Sequence, residues 1–433
     1  SEMCIRDSHY NGIEDPAAQD MIARLHRILR AAGAVGIGAT LGMLANEGYN
    51  NSPEELRADL SGGHDGYHTA PGGYWREVCP SRPGGLDYIL RTRSEMLDAF
   101  ADVDVEYMWI WPYDQGGCTC SKCAPWGFNG YLRCAEPLAE MVRERWPEAK
   151  IVLSTWYFDR FTTGEWEGLS RKFADGAPEW IDYLLIDDFS GFPAYPLEHG
   201  IPGGLPAVSF PEISMCGNMM PWGGYGAHPR PQHWQDYWNG CSHLIEGIFP
   251  YSEGIYEDIN KAVLLQLCWE GARDVRDIVR EYVGELTGPD SAGAVAEAVF
   301  QMEESTPHEL SEDFLKLVRG PEQAKKSLTA ETLRTMPLYR IDGIRNPERY
   351  AEVLRAAEGG MPAWARQAWR WRLLRARAEL DCELHASGGL PTEETETIFA
   401  ELADIYHDRN VEPNVYLMIP AVERLLGICR PED

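Results

Sequence analysis

Short apolar runs alternate with amphipathic stretches along the first two thirds of the chain. The runs predict six strands, at 34–41, 105–111, 151–156, 181–186, 206–210 and 243–249. Apolar residues at helical spacing predict helices between them, at about 16–33, 86–100 and 131–146. Because strands alternate with helices and the runs are continuously apolar, the pattern predicts a parallel sheet that is covered on both faces.

After residue 260 the pattern changes to amphipathic helices rich in Ala, Glu, Leu and Arg. We therefore expect an α/β fold in which a (β/α)8 TIM-type barrel over 9–270 precedes an all-helical C-terminal domain over 271–433. Counted back from 243–249 as strand 8, the visible strands are strands 3 to 8, with the first strands missing or shortened. The alternative is a doubly wound open sheet, which needs a Gly-rich phosphate loop. Gly36 and Gly38 lie inside a predicted strand and lack the third glycine of that motif.

The first eight residues, Ser1 to Ser8, resemble the translation of a sequencing-library adapter. They have neither the apolar centre of a signal peptide nor the length of a membrane span. We expect them to be an artefact, in which case the native start of the gene, with any signal peptide, is missing.

The net charge of the chain disfavours some classes of binding partner. The 433 residues include 68 acidic and 39 basic side chains, which gives a net charge of −29, and 44% of the residues are apolar. A globular protein with this charge repels phosphate backbones and anionic lipid, so nucleic acid and membranes are not expected as partners. No run of about 18 apolar residues predicts a transmembrane helix either.

Acidic residues follow the predicted strands of the barrel. They are Asp114, Asp187, Asp188, Glu212 and Glu253. A single carboxylate at a strand end is usually a helix cap or part of a loop ion pair. The active sites of barrels lie at the carboxyl ends of the strands, and glycosidic bond cleavage needs paired carboxyl groups. Acidic residues after four of the predicted strands therefore favour a site for acid and base catalysis on a carbohydrate.

Aromatic and amide side chains accompany these carboxylates on the loop side. The candidate substrate-binding residues are Trp111, Trp126, Asn129, Trp156, Tyr157, Trp222 and Tyr256. Aromatic rings of this kind offer apolar faces on which sugar rings stack. We assign Tyr107 and Trp109, which lie on a strand itself, to the barrel core. His228 and His233 are expected at the surface.

The most specific spacing in the chain is Cys118-Thr-Cys120-Ser-Lys-Cys123, directly after the second predicted strand. Three thiolates within six residues match a tetrahedral zinc or iron site, with Cys134 or a distant Cys or His as the fourth ligand. A reduced loop and a disulfide are the other interpretations. No cofactor is expected for catalysis, so the zinc would be structural. The remaining cysteines are scattered, which favours a reducing compartment such as the cytoplasm.

Three segments resemble a known superfamily: Asp114-Gln-Gly-Gly-Cys-Thr-Cys-Ser-Lys-Cys123, then Glu253-Gly before a helix that ends in Leu265-Gln-Leu-Cys-Trp269, then 277–284. They are similar to the barrel glycoside hydrolases that include α-glucuronidases and β-N-acetylhexosaminidases, and within them to the metagenomic β-N-acetylgalactosaminidases. The resemblance covers about residues 105 to 300. It implies a retaining exo-enzyme that uses the acetamido oxygen of its substrate as the nucleophile.

In that group an adjacent acidic pair follows strand 4, whereas here strand 4 offers only Asp114 and the adjacent pair is Asp187-Asp188. From their positions at the strand ends we assign Glu253 as the general acid and Asp187 or Asp188 as the carboxylate that orients the acetamide. Asp114 would then bind sugar hydroxyls. The implied partner is a neutral amino-sugar glycoside, and assembly into a homo-oligomer stays open.

Two alternatives remain. An α-glucuronidase with the same barrel would need a cation for the uronate, and Arg160 is the nearest one to a predicted strand end. A non-catalytic carbohydrate-binding protein would need aromatic rings and hydrogen bonds but no acid of raised pKa.

Overall fold

The structure is a computed structural model. It describes residues 10–59, 77–112, 117–159, 162–188, 191–214, 227–252, 258–305, 311, 335–337 and 343–406. The adapter-like segment 1–8 lies outside these residues.

Seven strands form one sheet of parallel strands. They are β1 Ala39–Leu44, β2 Val105–Trp111, β3 Lys150–Ser154, β4 Tyr183–Asp188, β5 Ala207–Ser214, β6 Gly247–Ile248 and β7 Tyr251–Ser252. Strands β1 to β6 are neighbours in the order in which they occur in the sequence, as consecutive strands of a (β/α)8 barrel are. The predicted α/β fold, with its parallel sheet and a helical C-terminal part, is confirmed.

Of the six predicted strands, β2 alone has the predicted bounds, and the shifts at two of the others have a visible cause. β1 begins at Ala39 instead of residue 34, because Gly36 has a positive φ of 81° and ends the preceding helix in a turn that leaves Val35 73% exposed. The last predicted strand, 243–249, is replaced by β6 and β7, both of which pair with β5. Pro250 lies between β6 and β7, where it cannot donate a hydrogen bond to a neighbouring strand.

Helices connect the strands as the sequence predicts. Within the sheet-containing part they are α1 Pro16–Gly33, α2 Gly85–Ala99, α3 Gly130–Arg145, α4 Glu165–Lys172 and α5 Ala194–His199. Asp15 caps α1 by accepting a hydrogen bond from the backbone N–H of Ala17, and Pro16 occupies the first helical turn.

The C-terminal part is helical. Its helices within the described residues are α6 Pro231–Cys241, α7 Asp258–Trp269, α8 Val275–Thr287, α9 Pro289–Glu304, α10 Pro347–Glu358, α11 Ala363–Gln367, α12 Trp369–Ala386 and α13 Glu393–Tyr406. Contacts divide the chain into two compact units, one of 2–211 with 243–249 and one of 212–242 with 250–433, apart from the first residue. The sequence places the boundary at residue 270 instead. No helix in the described part of the chain is both long and apolar enough to cross a bilayer.

The sheet is buried on both faces. In β3, Ile151 to Ser154 are all buried, and Ile110 of β2 and Leu184 and Ile186 of β4 are completely inaccessible. Each such side chain contributes roughly 1.5–3 kcal/mol by leaving water. This continuous burial is the reason that the strands are recognisable as uninterrupted apolar runs.

Candidate functional site

Three of the predicted carboxylate residues belong to described strands of the sheet. Asp187 and Asp188 are the last two residues of β4, and their backbones pair with Phe210 and Pro211 of β5. Glu212 pairs with Tyr251 of β7. The side chains of Asp187, Asp188 and Glu212 fall outside the described part of the structure. Asp114 and Glu253 lie wholly outside it.

A layer of aromatic rings extends from the last residues of β2 to the residues just after β3 and to Phe210 in the middle of β5. Trp111 lies 5.4 Å from Trp156 and 5.3 Å from Phe210 between ring centroids. Trp109 packs edge-on against Phe249 at 4.2 Å and lies 6.0 Å from Phe210. Trp109 is buried, in keeping with its predicted core position, whereas Trp111 is only half-buried. Offset and edge-to-face pairs of this kind make a rigid layer at the end of the barrel where barrel enzymes bind substrates.

Trp156 is a residue of this layer that could donate a hydrogen bond to a ligand. Its side chain is 5% exposed, and its indole Nε1–H finds no acceptor among the described residues. An unpaired buried donor costs about 1–3 kcal/mol, a cost that a ligand oxygen would remove. Phe210, the final residue of a predicted strand, completes the layer, although the sequence analysis did not single it out. A strand-end position is the only signal that marks it.

Trp126 and Asn129 have structural surroundings. The Trp126 indole is 2% exposed and donates a hydrogen bond of 2.9 Å to the carbonyl of Pro112. The Asn129 amide donates to the carbonyl of Ala124 at 3.0 Å. Neither face of the Trp126 ring is open to a sugar, so in this structure the residue supports the loop between β2 and α3. Their assignment to substrate binding stays a prediction, and Trp222 and Tyr256 lie outside the described residues.

The segment after β3 has an unusual backbone. Tyr157 and Asp159 have positive φ angles of 58° and 61°, a conformation that is uncommon for residues other than glycine. Tyr157 is buried, and its ring lies 4.7 Å from that of Trp156. Positive φ angles in consecutive turns concentrate at functional sites, where the surrounding structure holds them. This local strain supports the assignment of the β3 end to the candidate site.

Asp159 is committed to a structural task. Its Oδ1 accepts a 2.6 Å hydrogen bond from the backbone N–H of Glu165, the first residue of α4. Burial raises the pKa of the Asp159 carboxyl, and backbone N–H groups at the start of α4 oppose that increase. Asp159 therefore caps α4, which is the usual role of a lone carboxylate at a strand end.

Glu165 is a buried carboxylate that the sequence analysis missed. It is completely inaccessible, and its Oε1 accepts a 2.7 Å hydrogen bond from the backbone N–H of Gly127. Its Oε2 accepts a hydrogen bond of 3.1 Å from the N–H of Asp159. One side chain thereby joins the loop after β2 to the loop after β3. In the sequence Glu165 has only the appearance of an acidic residue in the first turn of a helix.

Four cysteine sulfurs form one group. Each sulfur of Cys79, Cys118, Cys120 and Cys123 lies within 4.8 Å of the others. Three of these residues are the predicted motif, but the fourth sulfur belongs to Cys79, from the loop before α2. Cys134 is buried in α3 and is not a member of the group. The four cysteines could hold a metal ion.

The two histidines belong to the helical unit. Contrary to the surface position expected from the sequence, His228 is only 8% exposed. Burial lowers the pKa of His228 well below its usual value and that of His233 to about 4. Both imidazoles are therefore neutral at pH 7. The backbone N–H of His233 donates to Glu303 Oε1 at 2.8 Å.

Comparisons with solved structures identify the fold. The chain resembles a family GH115 4-O-methyl-α-glucuronidase with specificity for decorated arabinogalactans, with a TM-score of 0.51 at 11% identity over 94% of this chain and 53% of that one. It also resembles a GH138 enzyme that targets the pectin rhamnogalacturonan II, with a TM-score of 0.49 at 9% identity over 95% of this chain and 52% of that one.

The chain therefore spans about half the length of these two solved structures. No protein-family model and no curated protein sequence matches it. At 11% identity, the likeness to the α-glucuronidase establishes an architecture and leaves the chemistry to the residues of this chain. That architecture, a parallel barrel-type sheet with a helical C-terminal part, is the fold of this protein.

Proposed function

We propose that the protein is a glycoside hydrolase, and specifically a retaining exo-β-N-acetylhexosaminidase of the β-N-acetylgalactosaminidase type. The observation on which this depends is that acidic residues and an aromatic layer, in which Trp111 is half-buried, occur together towards the carboxyl ends of the strands. Asp187 and Asp188 end β4, and Trp111 and Trp156 lie at the ends of β2 and β3. Acids supply proton transfer, and aromatic rings bind sugars. The fold shared with an α-glucuronidase is consistent with this chemistry.

In the proposed mechanism the substrate supplies its own nucleophile. The carboxylate of Asp187 or Asp188 accepts a hydrogen bond from the acetamide N–H. This hydrogen bond increases the electron density on the acetamide oxygen. That oxygen attacks C1 of the sugar while Glu253, as general acid, protonates the departing glycosidic oxygen. The products of this first step are an oxazolinium ring and the free alcohol.

The second step restores the enzyme. The carboxylate of Glu253, now a general base, removes a proton from water as the water oxygen attacks C1. The C1–O bond to the acetamide breaks, the sugar leaves with its original anomeric configuration, and Glu253 is protonated again. Asp114 is proposed to bind hydroxyl groups, and Glu212 is a further acid at the end of β5.

The aromatic layer would position the sugar in both steps. Trp111 is half-buried and offers a partly open ring, and the unpaired Nε1–H of Trp156 would donate to a sugar oxygen. Because the layer is rigid, the sugar would be held without the cost of ordering flexible side chains.

Replacing Glu253 by Gln tests the assignment of the general acid. The substitution keeps the shape of the side chain but removes its acid, so kcat on an aryl β-N-acetylgalactosaminide should fall by about 100-fold or more. Glu246→Gln is the matched control, because Glu246 is an exposed acid on the same stretch of chain. A normal rate for Glu253→Gln would remove Glu253 from the mechanism.

One observation favours a second candidate. The solved structure with the TM-score of 0.51 is an α-glucuronidase, and a uronate substrate would require a cation. Arg93 lies near the end of β1, but it is completely buried and donates to the backbone carbonyls of Leu44 and Glu47. Arg160, the nearest cation in the sequence, lies outside the described residues. The neutral amino sugar is therefore preferred.

A further inference from the structure

We propose that Cys79, Cys118, Cys120 and Cys123 bind one Zn²⁺ ion, and that this ion fixes the loop between β2 and α3 to the loop before α2. The site is independent of the proposed reaction. It would be a closed structural site, since four protein ligands leave no coordination position for a substrate.

The spacing of the sulfurs fits a tetrahedral metal. Cys79 Sγ lies 3.8 Å from Cys120 Sγ and 3.8 Å from Cys123 Sγ. A tetrahedron with metal–sulfur bonds of about 2.3 Å has sulfur–sulfur edges of about 3.8 Å. All four cysteines are free of disulfides, so the separations are those of non-bonded sulfurs.

The backbone turns tightly at the cysteine motif. The N–H groups of Cys123 and Ala124 both donate to the carbonyl of Cys120 at 2.9 Å. This turn places Cys120 and Cys123 on one short segment, so the backbone holds two of the proposed ligands close together.

Further hydrogen bonds fix the outer side of the group. Ser81 Oγ lies 3.1 Å from Cys123 Sγ, and the Arg133 guanidinium donates to that same oxygen at 2.7 Å. The positive charge of Arg133 partly offsets the net charge of about −2 that four thiolates and one Zn²⁺ ion would carry. An outer layer that orients the ligands is typical of structural metal sites.

The two loops also meet through Asn46, which follows β1. Its buried amide donates to the carbonyl of Val78 at 3.2 Å and to that of Gly117 at 3.0 Å. Val78 and Gly117 directly precede Cys79 and Cys118 in the chain. The hydrogen bonds of Asn46 therefore hold the two cysteine-bearing segments together independently of the sulfurs. The site is in this way prepared for the metal by the fold.

Metal analysis of the purified chain tests the proposal. The protein should be purified without a metal-affinity tag and without added metal. Inductively coupled plasma mass spectrometry should then find one zinc ion per chain. After dialysis under the same conditions, the Cys79→Ser variant should have lost most of its zinc, whereas the Cys134→Ser variant should have kept it. Cys134 is the matched control, because it is equally buried and lies outside the group.

A second measurement uses the unchanged chain, in case Cys79→Ser does not fold. Titration with an organomercurial that reacts with thiols should release the zinc as the four thiols are consumed. Replacement of zinc by Co²⁺ should give the visible absorption of tetrahedral cobalt bound to thiolates. Metal-free protein, bound iron in place of zinc, or zinc that is lost in Cys134→Ser but kept in Cys79→Ser would each overturn the proposal.

Discussion

Glu165 shows how one buried charge can organise two loops. A carboxylate without access to water is costly unless its oxygens accept hydrogen bonds. Here each oxygen accepts one backbone N–H, from Gly127 and from Asp159. Because Asp159 in turn caps the helix that begins with Glu165, the two residues brace each other. The position of the β3 end, with its strained backbone, therefore depends on a residue that need not touch substrate.

Replacing Glu165 by Gln should destabilise the protein by about 1–3 kcal/mol, because one acceptor oxygen becomes an NH2 group that faces a backbone N–H. The free energy of unfolding in urea measures this loss. Glu167→Gln is the matched control on the same helix, since the carboxylate of Glu167 is 62% exposed and pairs with the exposed Arg171. We expect that control to change stability by less than about 0.5 kcal/mol. Equal losses in the two variants would show that the burial of Glu165 has no special consequence.

For single residues, the sequence indicates which side chains can bind a metal more reliably than it indicates which distant residues they contact. The spacing of Cys118, Cys120 and Cys123 indicates a metal site because local spacing alone brings these sulfurs together. Cys79 is about forty residues earlier in a loop rich in Gly and Pro, and nothing in its neighbourhood marks it. Only the tertiary fold makes it the fourth member. The same reason explains why Glu165 was missed.

Among the elements, the loop between β2 and α3 is fixed by contacts with several other segments of the chain. It contains three of the four clustered cysteines and the buried Trp126. It also contains Gly127, whose backbone N–H donates a hydrogen bond to Glu165. The backbone N–H of Thr119 also donates to the carbonyl of Asp59 at 2.6 Å. This loop begins with the segment that contains Asp114. We infer that these contacts, and the proposed zinc, set the position of one wall of the candidate site.

Replacing Asn46 by Asp tests that inference at the level of the loop. The new carboxylate would face the carbonyls of Val78 and Gly117 without a proton to donate, and we expect a loss of stability of about 2 kcal/mol. Zinc should also dissociate faster when a chelator competes for it. Asn239→Asp serves as the control, because Asn239 lies on α6 and is exposed. Unchanged stability and unchanged zinc release would contradict the role given to Asn46.

The strands were predictable to the extent that burial is continuous. β2 has the predicted bounds, 105–111, because both of its faces contact the core. β1 begins later than predicted because the apolar Val35 and Ile37 are exposed in the turn after α1, so apolarity there does not indicate a strand. The break between β6 and β7 follows from Pro250, whose effect on a short apolar run cannot be weighed without its neighbours.

For the whole molecule, the sequence predicts the order of elements and the change from sheet to helices. It places the boundary at residue 270, whereas contacts assign 212–242 and 250–433 to the helical unit. A boundary of this kind depends on which faces pack together, and sequence periodicity does not contain that information. The net charge of −29 remains in keeping with a neutral substrate and unsuited to polyanions.

The measurement that most directly tests the proposed function is hydrolysis of a panel of p-nitrophenyl glycosides by the purified chain. The panel needs the β-N-acetylgalactosaminide, the β-N-acetylglucosaminide and the α-glucuronide at equal concentrations, with Glu253→Gln beside the unchanged protein. We predict release of p-nitrophenol from an N-acetylhexosaminide, with the N-acetylgalactosaminide the better substrate, and its loss in the variant. Hydrolysis of the glucuronide alone, or of none of the three, would contradict the account.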